Sequence, residues 1–240
     1  MVGQAAIQKG LKMLDDFVTK SSNRIKTVFK EIYAYNQVFV YTKDPLSDRI
    51  DLQNILDSVE SKVPEHIGQL VDSIMIGDFP QLRRDPPIIA FYEDGSLYVT
   101  NDPPSPDAML KAIVHEFAHA VEEAWGLDIY GDGQLESEFT KKRIRLRNKF
   151  KDYNIDAPSL KTFMNVEYSQ EFDDYLYDLG YEKINNLMTG MFLNPYSVTS
   201  LREYFATGFE EFILGDKKYF NQVCPVLYDK ILSIVRLNER

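Results

Sequence analysis

SPDAMLKAIVHEFAHAVEEAW, residues 105–125, decides how this chain is read. Ser105 suits a helix N-cap, Pro106 the first helical position and Asp107 the positive end of the helix dipole. HEFAH, residues 115–119, therefore lies two turns into a predicted helix. Residues four apart share one helix face. His115 and His119 can both turn an imidazole nitrogen toward one ion, and Glu116 can reach a water beside it. These are two of only three histidines in 240 residues.

That pattern fits a zinc-dependent peptidase, in which zinc lowers the pKa of a water and Glu116 accepts its proton. Zinc also needs a third protein ligand. AVEEAWG follows His119, so the extended pattern with Gly and a third His downstream is absent. A glutamate from a later helix is the other common solution. The candidates are Glu203, Glu210 and Glu211 in LREYFATGFEEFILGD, residues 201–216. Glu122, one turn beyond His119, is better placed behind a ligand than as one. His66, in VPEHIGQ, is expected on the surface or in a loop.

Outward from the helix, IIAFYEDGSLYVT (88–100) predicts a hairpin turning at Asp94-Gly95. Peptidases of this architecture hold substrate as an extra strand on a sheet edge. Leu97 to Thr100 leads almost directly into the zinc helix, so Leu97, Tyr98 and Val99 are expected to meet substrate. Nearer the start, Ile7, Leu11, Leu14 and Val18 predict an amphipathic helix over 4–19. A second helix, capped by Ser21-Ser22-Asn23, carries Ile25, Val28, Phe29 and Ile32. A strand over 37–41 and helices over 51–61 and 66–74 follow. Beyond Gly126 come a turn, a charged helix over 134–152, an aromatic, acidic stretch over 163–186, and helices over 199–214 and 225–237. The fold class is α+β: mainly helical, zincin-like, with a small β-sheet or hairpin before the HExxH helix.

Composition narrows the function classes. Hydrophobic content of 44% with 27% charge is ordinary for a soluble domain. A net charge of −10 argues against a general nucleic-acid binder and against acidic membranes. Cys224 is the one cysteine, so no internal disulfide forms; it reads as a packing residue at the start of a helix. No signal-peptide core and no run of about 18 apolar residues is present. The expectation is a cytoplasmic protein or a virion- or toxin-associated component. KKRIRLRNKFK (141–151) is read as a solvated helix face. DIYGDGQLESEF (128–139) is not a calcium loop, because Tyr130 and Phe139 fall at ligand positions.

EYFATGFEEF (203–212), with Tyr196 seven residues before Glu203, resembles the anthrax toxin lethal factor-like metallopeptidase domain. That is the family of lethal factor's catalytic domain and the Pro-Pro endopeptidases. Its members carry the His-Glu-x-x-His helix and later Tyr-x6-Glu-Phe-Phe-Ala-Glu-x-Phe. CPVLYDKIL (224–232) is similar to the family's C-terminal helix. The resemblance covers roughly residues 37–237. It implies a zinc endopeptidase with His115, His119 and Glu203 as ligands, Glu116 as general base and Tyr196 as oxyanion donor. A metallopeptidase domain over 37–240 then follows an N-terminal helical extension over 1–36. The partner expected is a protein or peptide substrate. The alternative is a structural or interaction protein that keeps the domain for its shape and docks through the N-terminal helices. Two departures stand out. Thr207 replaces an acid that orients a zinc histidine, and 84 residues separate His119 from Glu203, with an insertion over 140–186.

Overall fold

The computed structural model describes residues 32–84 and 87–237. The helix expected over 4–19 and most of the one after it lie outside these residues. Ile32, placed on that second helix by its spacing, instead opens a strand. β1 (Ile32–Ala34) pairs antiparallel with β2 (Val38–Thr42). The sheet therefore begins before the boundary expected at residue 36. Tyr35 and Asn36 turn this hairpin with positive φ, 50° and 60°. A bulky residue rarely takes that conformation. Tyr35 is held there because its buried phenol donates to the carbonyls of Val59 (3.2 Å) and Val63 (3.1 Å).

Those carbonyls end α1 (Leu52–Lys62), capped by Asp51, with Leu52, Ile55, Leu56 and Val59 forming its buried stripe. The helix expected over 66–74 is corrected. A single turn, α2 (Glu65–Gly68), is followed by β3 (Ser73–Ile76). Ile67, Val71 and Ile74 fit a helical spacing. Ile74 and Ile76, however, alternate with the half-buried Ser73 and Met75, the period of a strand. β3 pairs in parallel with β2 on one side and β5 on the other, so its partners are remote in sequence.

β4 (Ala90–Glu93) and β5 (Ser96–Val99) form the expected hairpin on Asp94 and Gly95, both at positive φ. The sheet order is β1-β2-β3-β5-β4, mixed parallel and antiparallel. α3 (Pro106–Tyr130) crosses behind β4 and β5. It does not stop near Gly126: it bends at Trp125 (φ −128°) and runs on to Tyr130. His66 packs its ring against Trp125 and contacts the Ile234 carbonyl at 3.1 Å.

The rest is helical: α4 (Gln134–Asp152), α5 (Leu160–Met164), α6 (Gln170–Leu179), α7 (Tyr181–Met188), α8 (Leu201–Leu214), α9 (Lys217–Val223) and α10 (Pro225–Val235). The basic run on α4 is only partly solvated. Arg143 is buried among the rings of Phe139, Phe163 and Phe172. Its guanidinium donates to the carbonyls of Thr162 and Asn165, while Arg147 and Lys149 reach those of Pro158 and Leu187. These bonds fasten the segment carrying α5 to α7 onto α4. α8 packs on α3 and, through Gly208, directly on Leu227 of α10, where a Cβ would lie 2.4 Å from a methyl carbon. The protein is an α+β fold, mostly helix with one small sheet. Among the described residues, no helix is long and apolar enough to cross a membrane.

Candidate metal centre

Two N-caps set the helices that carry the centre. Ser105 accepts from the Ala108 N–H at 3.1 Å and starts α3. Ser200 accepts from the N–H of Glu203 itself at 3.1 Å, so the cap fixes the turn holding that carboxylate. The packing of α8 against α3 then brings Glu203 opposite His115 and His119.

His115 Nε2 lies 3.1 Å from Glu203 Oε2, and His119 Nε2 lies 3.9 Å from Glu203 Oε1. One ligand atom from each of the three residues falls within 4.8 Å of the others, a group that could hold a metal ion. The imidazole rings stand 5.5 Å apart and nearly perpendicular. Burial pulls the His115 imidazole down, but Glu203, Glu210 and Glu116 together outweigh it and raise its pKa to about 10. Burial pushes Glu203 up, and the hydrogen bond and charge of His115 more than offset it, leaving the carboxyl below its usual range.

Glu116 lies beside the three and is 8% exposed. Burial raises its carboxyl pKa against the charges of His115 and His119 and a backbone hydrogen bond from Tyr92. Tyr196 sits in a 3-10 turn (Tyr196–Val198) ahead of α8, its ring 6.0 Å from that of His115. The turn is fastened by Ser197 N–H on Asn194 Oδ1 (2.8 Å) and by Thr199 Oγ1 on the Tyr196 carbonyl (2.8 Å). The residue keeps 41% exposure, while burial, and then the charge of Glu203, push its phenol pKa up.

Behind these three residues stand further carboxylates. Glu122 Oε2 lies 2.7 Å from His119 Nδ1, and its Oε1 accepts from the Tyr130 phenol. Arg202 Nε is 3.4 Å from the same Glu122. Glu210, a sequence candidate for third ligand, stands behind His115 instead, 3.6 Å from Nδ1. Glu211 accepts from the Asp216 N–H at the end of α8. Thr207 is buried and its hydroxyl has no partner. Tyr130 was not foreseen, because the helix was expected to end before it.

The expectation for Leu97, Tyr98 and Val99 is corrected. β5 lies between β3 and β4 and is paired on both sides, so no strand can be added to it. Leu97 and Val99 point into the core, and Tyr98 stacks on Phe91 at 4.7 Å on the other face. Of the hairpin's two strands, β4 is the one at an edge of the sheet. The Thr100 N–H bonds the Ile89 carbonyl, and alternation along an antiparallel pair then leaves the main-chain groups of Ala90 and Tyr92 facing outward. Nothing in a hairpin's sequence tells which of its strands a third strand covers.

Comparison with family models, with curated proteins and with solved structures found no match to this chain.

Proposed function

We propose that this chain is a zinc-dependent endopeptidase of the lethal factor-like type, with a zincin-like fold. The observation that carries the reading is the convergence of His115 Nε2, His119 Nε2 and a Glu203 carboxylate oxygen beside the buried Glu116. Ligands on a tetrahedral zinc with bonds of about 2.1 Å stand roughly 3.4 Å apart. His115 Nε2 stands 3.1 Å from one Glu203 oxygen and His119 Nε2 3.9 Å from the other, both near that value. Two imidazoles and one carboxylate are also the donor set of catalytic zinc sites, which keep a fourth position open.

Zinc bound there supplies a Lewis acid that polarises the scissile carbonyl and makes a water more acidic. Glu116 takes a proton from the attacking water onto a carboxylate oxygen and passes it to the leaving amine nitrogen, so no net proton is consumed. Burial raises the Glu116 pKa, the direction that favours holding a proton between its acceptance and its return. The Tyr196 phenol donates a hydrogen bond to the oxygen that gains charge as the carbonyl carbon becomes tetrahedral. The β4 edge offers the main-chain groups of Ala90 and the carbonyl of Tyr92, whose N–H already bonds Glu116, to hold an extended peptide across the cleft.

The test is Glu116→Gln. The variant should keep zinc at the wild-type stoichiometry, measured by elemental analysis, and lose hydrolysis of a peptide library read by mass spectrometry. An amide cannot accept the proton. Loss of metal from this variant would make Glu116 a ligand and overturn the assignment. A wild-type chain that holds zinc but cleaves no peptide favours the structural alternative.

A further inference from the structure

Each histidine of the centre turns Nε2 toward Glu203 and Nδ1 toward a carboxylate that is not among the three ligands. A histidine that carries its proton on Nδ1 leaves the Nε2 lone pair free for a metal, and the group accepting that proton's hydrogen bond sets the ring's orientation. We propose that Glu122 and Glu210 are the two positioning residues of the centre, Glu122 for His119 and Glu210 for His115. The inference rests on the metal reading above and assigns who holds its histidines.

Glu122 is 8% exposed and gathers donors from three places. His119 Nδ1 and Arg202 Nε reach Oε2, the Tyr130 phenol reaches Oε1, and Arg202 Nη2 also stands 3.3 Å from His119 Nδ1. Tyr130 comes from beyond the bend at Trp125, and Arg202 from the first turn of α8. The carboxylate is thus clamped from both parts of α3 and from α8, against the Nδ1 edge of the His119 imidazole. A buried charge with three donors is also one the fold can keep.

Glu210 lies two turns beyond Glu203 on α8, and its side chain is 25% exposed. Thr207 lies between them, one turn from Glu203, and its buried hydroxyl makes no bond to either histidine. His115 therefore sits between Glu203 on Nε2 and Glu210 on Nδ1. On α8 it is Glu210, not Thr207, that faces His115 Nδ1.

The test is zinc affinity of the full chain, measured by competition with a chromophoric chelator. Glu122→Gln and Glu210→Gln should each weaken binding about 10- to 100-fold, with the metal-free chains melting near wild type. Glu211→Gln removes the same charge from α8 outside the centre and should change affinity less than threefold, by the screening expected of an exposed charge. Tyr130→Phe leaves Glu122 and its charge in place but removes one clamp, so affinity should fall a few-fold; it serves also if Glu122→Gln does not fold. Unchanged affinity in both glutamine variants overturns the positioning alone. An equal loss in Glu211→Gln also overturns it, since net charge would then explain the effect. A wild-type chain without zinc overturns the metal reading along with it.

Discussion

His119 Nδ1 stands 2.7 Å from Glu122 Oε2, three residues further along the same helix, while its Nε2 faces Glu203, 84 residues away. One ring thus joins a local contact, set by helix spacing, to a remote one, set by the packing of α8 on α3. The centre exists only where both are met.

Removing a ligand should remove the metal. His115→Ala, His119→Ala and Glu203→Ala should each lose bound zinc after desalting, since two remaining ligands hold it weakly. Glu211→Ala should retain full occupancy, because that carboxylate is engaged at the end of α8. Zinc per chain, measured by elemental analysis, decides. Full occupancy in Glu203→Ala would remove it from the ligand set.

Tyr196→Phe isolates the phenol. In the proposed mechanism its hydrogen bond forms mainly in the transition state, so kcat should fall about 10²-fold or more while KM changes little. The ring is 41% exposed and the turn is held by Ser197, Asn194 and Thr199, so melting temperature and zinc content should stay near wild type. An unchanged kcat would leave Tyr196 with no catalytic part.

Arg143→Ala should destabilise the fold by about 3 kcal/mol, seen as a lower urea midpoint. It opens a cavity among Phe139, Phe163 and Phe172 and strips the Thr162 and Asn165 carbonyls of their donor. Arg143→Met fills part of the space and should lose less. Equal midpoints for wild type and Arg143→Ala would mean that the segment carrying α5 to α7 is held by other contacts.

Cys224 should be inert in the native chain. Its side chain is fully buried and burial raises the thiol pKa, so little thiolate exists and none is reachable. A chromogenic thiol reagent should label one thiol per chain in denaturant and almost none without it. Rapid native labelling would contradict the packing at the start of α10.

Much of the centre is legible in the local sequence. Ser105, Pro106 and the four-residue spacing place His115, Glu116 and His119 on α3, and the same periodicity puts Glu122 behind His119. Asp94-Gly95 marks the hairpin, and Asp51 and Leu52 to Val59 mark α1. The misreadings have physical causes. The apolar spacing of Ile67 to Ile74 satisfies a helix as well as a strand, and only pairing with β2 and β5 resolves it. Ile32 lies where two periodicities meet, and the buried phenol of Tyr35 stabilises a turn that its backbone alone disfavours. Arg143 reads as surface because a charged side chain is rarely buried, yet three rings and two helix-end carbonyls provide for it.

The sequence by itself determined what short-range geometry controls: the helix, the face its histidines share, the cap that starts it and the turn before it. Helical hydrogen bonds and caps act within about four residues, so residue order is enough to read them. Tertiary structure alone decided which glutamate stands behind His115, that Tyr130 reaches Glu122, and that β4 rather than β5 is the open edge, and it brings to the histidines Glu203, the glutamate the resemblance implies. Glu203, Glu210 and Glu211 share one helix and nearly one composition. What separates them is the direction each faces when α8 packs on α3 with Phe205 and Phe209 buried, and no feature of the glutamates themselves announces it.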